Sequence, residues 1–320
     1  LDAVRTLAAS ADWTVLASGS QDGTIKLWSL PELDLLKTID AHEDTLRLVA
    51  SPEWTYLASG SLDGTLKLWT LPEGDLAQIL EEERDGPNGL LMSPDGSILA
   101  SSVMGDRKAI SLWAIPEGEL MKKLTGPRKM GADTLITDPE GTLLAAGVQD
   151  GPVQLWSLPE GKALAKLKGH EKPVASVAMS SDGTLLVSGS WDETVKLWSL
   201  PEGELLGTLA GHDSPVSALA LAPDGTLLVS ADGDGTIKFW TLPEGRLAAC
   251  LIDLAANDAG IEGVTYRIET EFGDTREYTF PCGASLPAGA VCTCNCVAGS
   301  ICICVGDTGP RGGQHYWHPC

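Results

Sequence analysis

Six times along this chain a Trp closes an apolar strand and a Pro-Glu turn follows three residues later. The first two instances read Lys26-Leu-Trp28-Ser-Leu-Pro31-Glu and Lys67-Leu-Trp69-Thr-Leu-Pro72-Glu-Gly74. The others centre on Trp113, Trp156, Trp198 and Trp240, so the period is 41–44 residues. A period of this length means stacked supersecondary units, because one unit cannot bury its own apolar surface. Turn signals fall about every ten residues inside each repeat, which predicts four short strands. In the fifth repeat these are Val174–Met179, Thr184–Ser190, Thr194–Leu200 and Leu205–Leu209. The intervening turns are Ser181-Asp-Gly183, Trp191-Asp-Glu193 and Pro201-Glu-Gly203. Pro presets φ at the second turn position and Gly accepts positive φ. Radial stacking of such sheets is the propeller solution.

Over residues 1–252 the chain resembles WD40-repeat proteins, which implies an all-β, WD40-type β-propeller with six recognisable four-stranded blades. The family pattern joins a His, a Ser or Thr, an Asp and a Trp inside each blade. The resemblance assigns these roles to His42, Ser59, Asp63 and Trp69 in the second repeat. In the fifth they are His170, Ser188, Asp192 and Trp198, and in the sixth His212, Ser230, Asp234 and Trp240. Ala41 stands where the Gly before the His belongs, and the third and fourth repeats have no His. The first also lacks it, and the Asp that usually follows the Trp is Ser, Thr or Ala in all six. Recurrence in blade after blade marks a structural network rather than a catalytic triad, and the strand-closing Trp as core.

Composition shifts after residue 252. Residues 253–262 break the repeat and read as a linker, then Val264–Thr270 and Thr275–Phe280 read as a hairpin. Val291–Val297 and Ile301–Val305 read as a second. Four strands amount to one blade, so this region either supplies a seventh blade or forms a separate small module. A blade lost ahead of Leu1 would equally account for six.

Seven of the eight Cys fall within 282–320. Side chains alternate across a strand, so Cys292, Cys294 and Cys296 share one face, as do Cys302 and Cys304. Cys282 flanks them on one side, and His315, His318 and Cys320 on the other. Thiolates and imidazoles at close spacing suit tetrahedral Zn²⁺, one to three ions, or an iron–sulfur cluster as the alternative. Disulfides would need Cys250 to complete four pairs, and reactive thiols would need cations that the tail scarcely has. A structural metal would supply the folding free energy that a Gly-rich 40-residue segment lacks.

The formal charge of −22 opposes nucleic-acid binding, which needs clustered Lys and Arg. No apolar run approaches the 18 residues of a membrane helix. There is no Gly-x-Ser-x-Gly, phosphate loop or His-Glu-x-x-His. The expected function is therefore a non-enzymatic interaction scaffold whose loops meet protein partners, Glu81–Asp85 and Met104–Lys108 being the least repetitive. A redox metalloprotein and a self-assembling fibre subunit are the alternatives. Leu1 is not Met, which suggests a removed leader or a fragment; localisation leans cytoplasmic, or exported if the tail is disulfide-bonded.

Overall fold

The computed structural model describes residues 2–44, 46–82, 86–103, 109–125, 134–148, 151–242, 245–253, 263–270, 275–281, 303–304 and 316–317. Every regular element among them is a β-strand. The chain divides into two compact units, Leu1–Ala248 and Ala249–Cys320.

The first unit is a run of six antiparallel four-stranded meanders, five of them separate sheets and the sixth the first four strands of a six-stranded sheet. The first blade comprises Val4–Ala9, Val15–Ser20, Thr24–Ser29 and Leu35–Asp40. The second comprises Leu46–Ala50, Tyr56–Ser61, Thr65–Thr70 and Asp75–Glu82. Pro87–Met92, Ile98–Val103, Ala109–Ala114 and Glu119–Thr125 make the third. Thr134–Thr137, Leu143–Gly147, Val153–Ser157 and Ala163–Leu167 make the fourth. The fifth is Val174–Met179, Leu185–Ser190, Val195–Ser199 and Leu205–Leu209. The sixth is Val216–Leu221, Leu227–Asp232, Thr236–Thr241 and Arg246–Asp253, whose last residues cross into the second unit. The strands expected for the fifth repeat are thus reproduced to within a residue at their ends.

First strands of successive blades lie side by side from the first blade to the sixth. The core sits between blades rather than within them. Trp198 and Leu186 of the fifth blade pack on Leu143, Val153, Leu155 and Leu167 of the fourth. Trp69 and Leu57 of the second pack likewise on Ala17, Ile25, Leu27 and Ile39 of the first. A sheet alternates its side chains between two faces, so a blade whose faces are both apolar must be clasped by two neighbours.

The joint depends on one small residue. In the fifth blade Val174 lies opposite Ser190, and Ser176 opposite Gly189, with a bulge between. A Cβ placed on Gly189 would stand 2.7 Å from Cγ1 of Val216, in the next blade's first strand. At Gly147 it would stand 2.6 Å from Cγ1 of Val174, and Gly60 meets Pro87 in the same way. Hydrogen bonds cross the same seam. The Leu48 amide donates to Thr6 Oγ1 (3.3 Å), Val177 to Thr134 Oγ1 (3.3 Å) and Leu219 to Ser176 Oγ (3.1 Å).

The turns are closed by carboxylates. Asp12, Asp22, Asp95, Asp182 and Asp224 each accept the backbone N–H and the hydroxyl of the Thr or Ser two residues on. Such short-range bonds fix the turn conformation. They hold Asp22 down at about 2, chiefly through Thr24.

In the second unit Ala249–Asp253 pairs antiparallel with Gly263–Thr270, which pairs in turn with Thr275–Pro281. The expected first hairpin is present, with Val264 opposite Phe280. Ile303–Cys304 pairs with Tyr316–Trp317. Val291–Val297, the strand expected beside Ile301–Val305, lies outside the described residues, as does most of the linker.

Gly189→Ala forces a methyl into the seam with Val216 and should destabilise the chain by about 1–3 kcal/mol, as overpacking does. The midpoint of urea unfolding measures this, and the exposed Gly211→Ala is no control because φ there is +134°.

Candidate functional site

The His–Ser–Asp–Trp residues meet in a chain of hydrogen bonds within each blade that has them. Trp198 reaches from the third strand, and its Nε1–H donates to Ser188 Oγ on the second (2.8 Å). His170, on the loop before the first strand, places Nε2 2.8 Å from the same Oγ and Nδ1 2.8 Å from Asp192 Oδ2. Nδ1 faces a carboxylate and so carries the proton, which leaves Nε2 to accept from the Ser hydroxyl. The bonds then run in one direction: Trp to Ser, Ser to His, His to Asp. In the second blade the distances are 2.7 Å for Trp69–Ser59, 2.7 Å for Ser59–His42 and 3.1 Å for His42–Asp63. Thr65 and Thr194 join this set by donating to their Asp (2.7 and 2.6 Å), contacts that the sequence pattern did not single out.

The sixth blade departs from expectation. Trp240 Nε1 donates to Ser230 Oγ (2.8 Å), and His212 Nε2 meets that Oγ at 2.7 Å. The carboxylate on His212 Nδ1, however, is that of Asp232 (2.7 Å), and not that of Asp234. Asp232 occupies the position of Ser190, whose hydroxyl receives the Asp192 amide in the fifth blade. A carboxylate has a longer reach than a hydroxyl and a second oxygen. Asp232 therefore accepts the Asp234 and Thr236 amides on Oδ1 while Oδ2 takes the His.

Blades without the His keep part of the set. Trp28 donates to Ser18 (2.9 Å) and Trp113 to Ser101 (3.0 Å). The readable signal is a Ser ten or twelve residues before the Trp; in the fourth blade Ala146 stands there.

Formally the Ser–His–Asp order is that of a nucleophile with its base and orienting acid. Ser59, Ser188 and Ser230 are all fully buried, and each Oγ already accepts an indole N–H. A buried hydroxyl with its lone pair engaged offers no face to a substrate. The arrangement ties the loop before each blade to that blade's second and third strands.

Burial pushes His42, His170 and His212 below the usual imidazole value, against the pull of the adjacent carboxylates. Burial alone would raise Asp63, but hydrogen bonds from Thr65 and the Glu43 amide outweigh it and hold it at about 2. Asp192 is lowered in the same way, by Thr194, His170 and the Glu171 amide.

The expected metal ligands cannot be placed. Cys282, Cys292, Cys294, Cys296, Cys302, His315, His318 and Cys320 lie outside the described residues, and only the backbone of Cys304 is described. Glu81–Asp85 and Met104–Lys108 are likewise undescribed beyond the strand ends Glu81 and Glu82.

A family model described as "WD domain, G-beta repeat" matches residues 2–29, 33–70, 161–199 and 203–241. The unmatched stretch between 70 and 161 holds the third blade and the first three strands of the fourth, the two blades after the first that lack the His. No curated protein sequence matches the chain. Solved structures do, among them the crystal structure of the computationally designed Ika8 protein. That match is 27 % identical over 87 % of each chain, with a TM-score of 0.68.

Two outcomes follow from the network. Ser188→Ala orphans a buried indole N–H and an imidazole nitrogen together, so unfolding should become easier by about 1–3 kcal/mol. Ser18→Ala, at the half-buried Trp28, should cost less. The His residues bind a proton more weakly folded than unfolded, so stability holds above about pH 6.5 and is lost as pH falls below it. The lowered Asp residues add a further loss below about pH 4. Melting temperature followed from pH 8 to pH 5 should drop, and drop less steeply in His170→Gln.

Proposed function

We propose that this chain, a WD40-repeat protein, is a non-enzymatic scaffold that binds other proteins through its inter-strand loops, with a metal-stabilised module at its C-terminal end. The observation that carries the scaffold reading is the use made of the chain's most reactive-looking side chains. The three Ser–His–Asp sets are consumed in tying a loop to the strands of its own blade, and no free set recurs among the described residues. WD40 repeats typically mediate protein interactions, which supports the same reading. The repeated framework of turns and seams leaves the non-repeating segments 81–85 and 104–108 as places where one blade differs chemically from another. Loops carry function on such scaffolds because the frame beneath them is fixed.

The metal reading rests on the donor set alone: seven Cys and two His within 39 residues, in a segment poor in the apolar mass a core needs. Zinc, one to three ions, is favoured over an iron–sulfur cluster because His-x-x-His-x-Cys brings imidazole among the thiolates.

Untagged protein purified without oxygen should carry about one to three zinc per chain without a visible absorbance band. Iron with broad visible absorbance would move the reading to a redox protein, and blocked thiols without metal would replace it with a disulfide-bonded tail. For the scaffold, replacing 81–85 or 104–108 with the short turn of another blade should weaken a cross-linked partner about tenfold or more at unchanged melting temperature. A partner indifferent to both loop replacements would refute loop-mediated binding.

A further inference from the structure

The turn between the second and third strands of the fifth blade, Trp191-Asp192-Glu193, breaks the repeat on both sides of its Asp. Its counterparts are Gln21-Asp22-Gly23, Leu62-Asp63-Gly64 and Gly233-Asp234-Gly235. Trp191 is 52 % exposed, although its blade has a neighbour on each side. The strand-closing Trp198 of the same blade is buried.

Backbone strain falls on the same turn. The residue after the Asp needs positive φ, and Gly23, Gly64, Gly151 and Gly235 supply it in other blades at 80°, 93°, 99° and 83°. Glu193 takes that conformation at φ 70°. A residue with a Cβ is disfavoured there, so Gly would hold the turn at lower cost. What Glu adds is a carboxylate two residues from an exposed indole.

Both side chains stand on a fixed base. Asp192, between them, accepts the Thr194 amide (3.1 Å) and hydroxyl (2.6 Å) on Oδ1. Its Oδ2 takes His170 Nδ1 (2.8 Å) and the Glu171 amide (3.0 Å). The Trp191 amide donates to the Pro173 carbonyl (2.9 Å), and the Ser190 hydroxyl lies against the carbonyls of Lys172 and Pro173. These bonds tie the turn to the loop that carries Glu171 and Lys172, both exposed. Lys172 Nζ lies 3.8 Å from Glu193 Oε1, with the two side chains 57 % and 44 % exposed. At that separation they are paired by charge without a hydrogen bond, which is worth little at an exposed site.

An exposed indole, a nearby carboxylate with lone pairs to offer and a loosely held Lys together suit a flat cation. A guanidinium stacks on an aromatic ring and forks onto a carboxylate, which an ammonium cannot do. The chain's net charge of −22 draws cationic partners by complementarity. A turn pinned before contact also adds little ordering cost on binding.

We propose that Trp191 and Glu193 form a recognition point for an arginine side chain of a basic partner protein. The guanidinium stacks on the indole and pairs with the Glu193 carboxylate in place of Lys172. This rests on the scaffold reading and gives it a contact point and a partner chemistry outside segments 81–85 and 104–108.

Fluorescence anisotropy of a dye-labelled, acetylated Gly-Arg-Gly-Arg-Gly peptide titrated with the full chain tests this. The peptide should bind, its lysine counterpart should bind more weakly, and a counterpart with neutral citrulline should bind least. Trp191→Gln and Glu193→Gly together rebuild the Gln-Asp-Gly turn that the first blade already carries, so the fold accommodates them. That pair should weaken the arginine peptide about tenfold or more, at an unchanged or higher melting temperature. Leu62→Gln, at the matching turn of the second blade, should leave binding as it is. An arginine peptide that does not bind, or binds no better than the lysine one, overturns the proposal. Binding that survives the turn replacement overturns it equally, since the peptide then reads net charge alone. Neither failure touches the scaffold reading, which the response of a cross-linked partner to replacement of 81–85 or 104–108 decides separately.

Discussion

A four-stranded sheet has two faces, and in this chain both are apolar. That constraint governs almost everything else in the first unit. No blade can be stable alone, so each must present one face shaped to receive a neighbour and another shaped to enter one. The receiving face carries Gly60, Gly147 or Gly189, and the entering face carries Pro87, Val174 or Val216. Only a residue without Cβ lets the strands approach so closely, and each approach is accompanied by an apolar cluster drawn from two blades. Stability in such an array is a property of the seams, as nearest-neighbour coupling in repeat proteins requires.

Within a blade, the hydrogen-bonded chain from Trp to Ser to His to Asp answers a different need. Burying an indole N–H, a hydroxyl, an imidazole and a carboxylate is costly unless each is paired. Here each group satisfies the next, and the result links a loop to two strands. The acidity of the chain acquires a local explanation from the same principle. Many Asp residues are turn locks that accept an amide and a hydroxyl two residues on, and they stay ionised for that reason. A net charge of −22 is in part the by-product of many such turns.

Much of this was legible in the sequence, because a repeated pattern exposes its own rules. The Trp-x-x-Pro-Glu marker located every blade, and the Gly and Asp punctuation located the turns. The three His networks were legible as well, except where two Asp residues, 232 and 234, could each supply the carboxylate. Asp234 matched the pattern by spacing, but Asp232 has the shorter path to His212 and serves the turn at the same time. The glycine seams were invisible in one dimension, since a Gly on a strand declares its purpose only when the next blade's Val lies against it. Trp191 and Glu193 are a similar case: their turn was readable, whereas the exposure of one and the strain of the other required coordinates. The Cys and His of 282–320 remain a chemical reading of spacing and alternation.

The central claim is that blades are held through shared seams rather than one by one. Native-state hydrogen exchange, followed strand by strand across increasing denaturant, addresses it most directly. Coupled seams predict that Tyr56–Ser61, Leu143–Gly147 and Leu185–Ser190 approach one common opening free energy, with the largely exposed strand Val4–Ala9 opening earlier. Blades that each open at their own unrelated free energy, with Val4–Ala9 as protected as the interior strands, would contradict it.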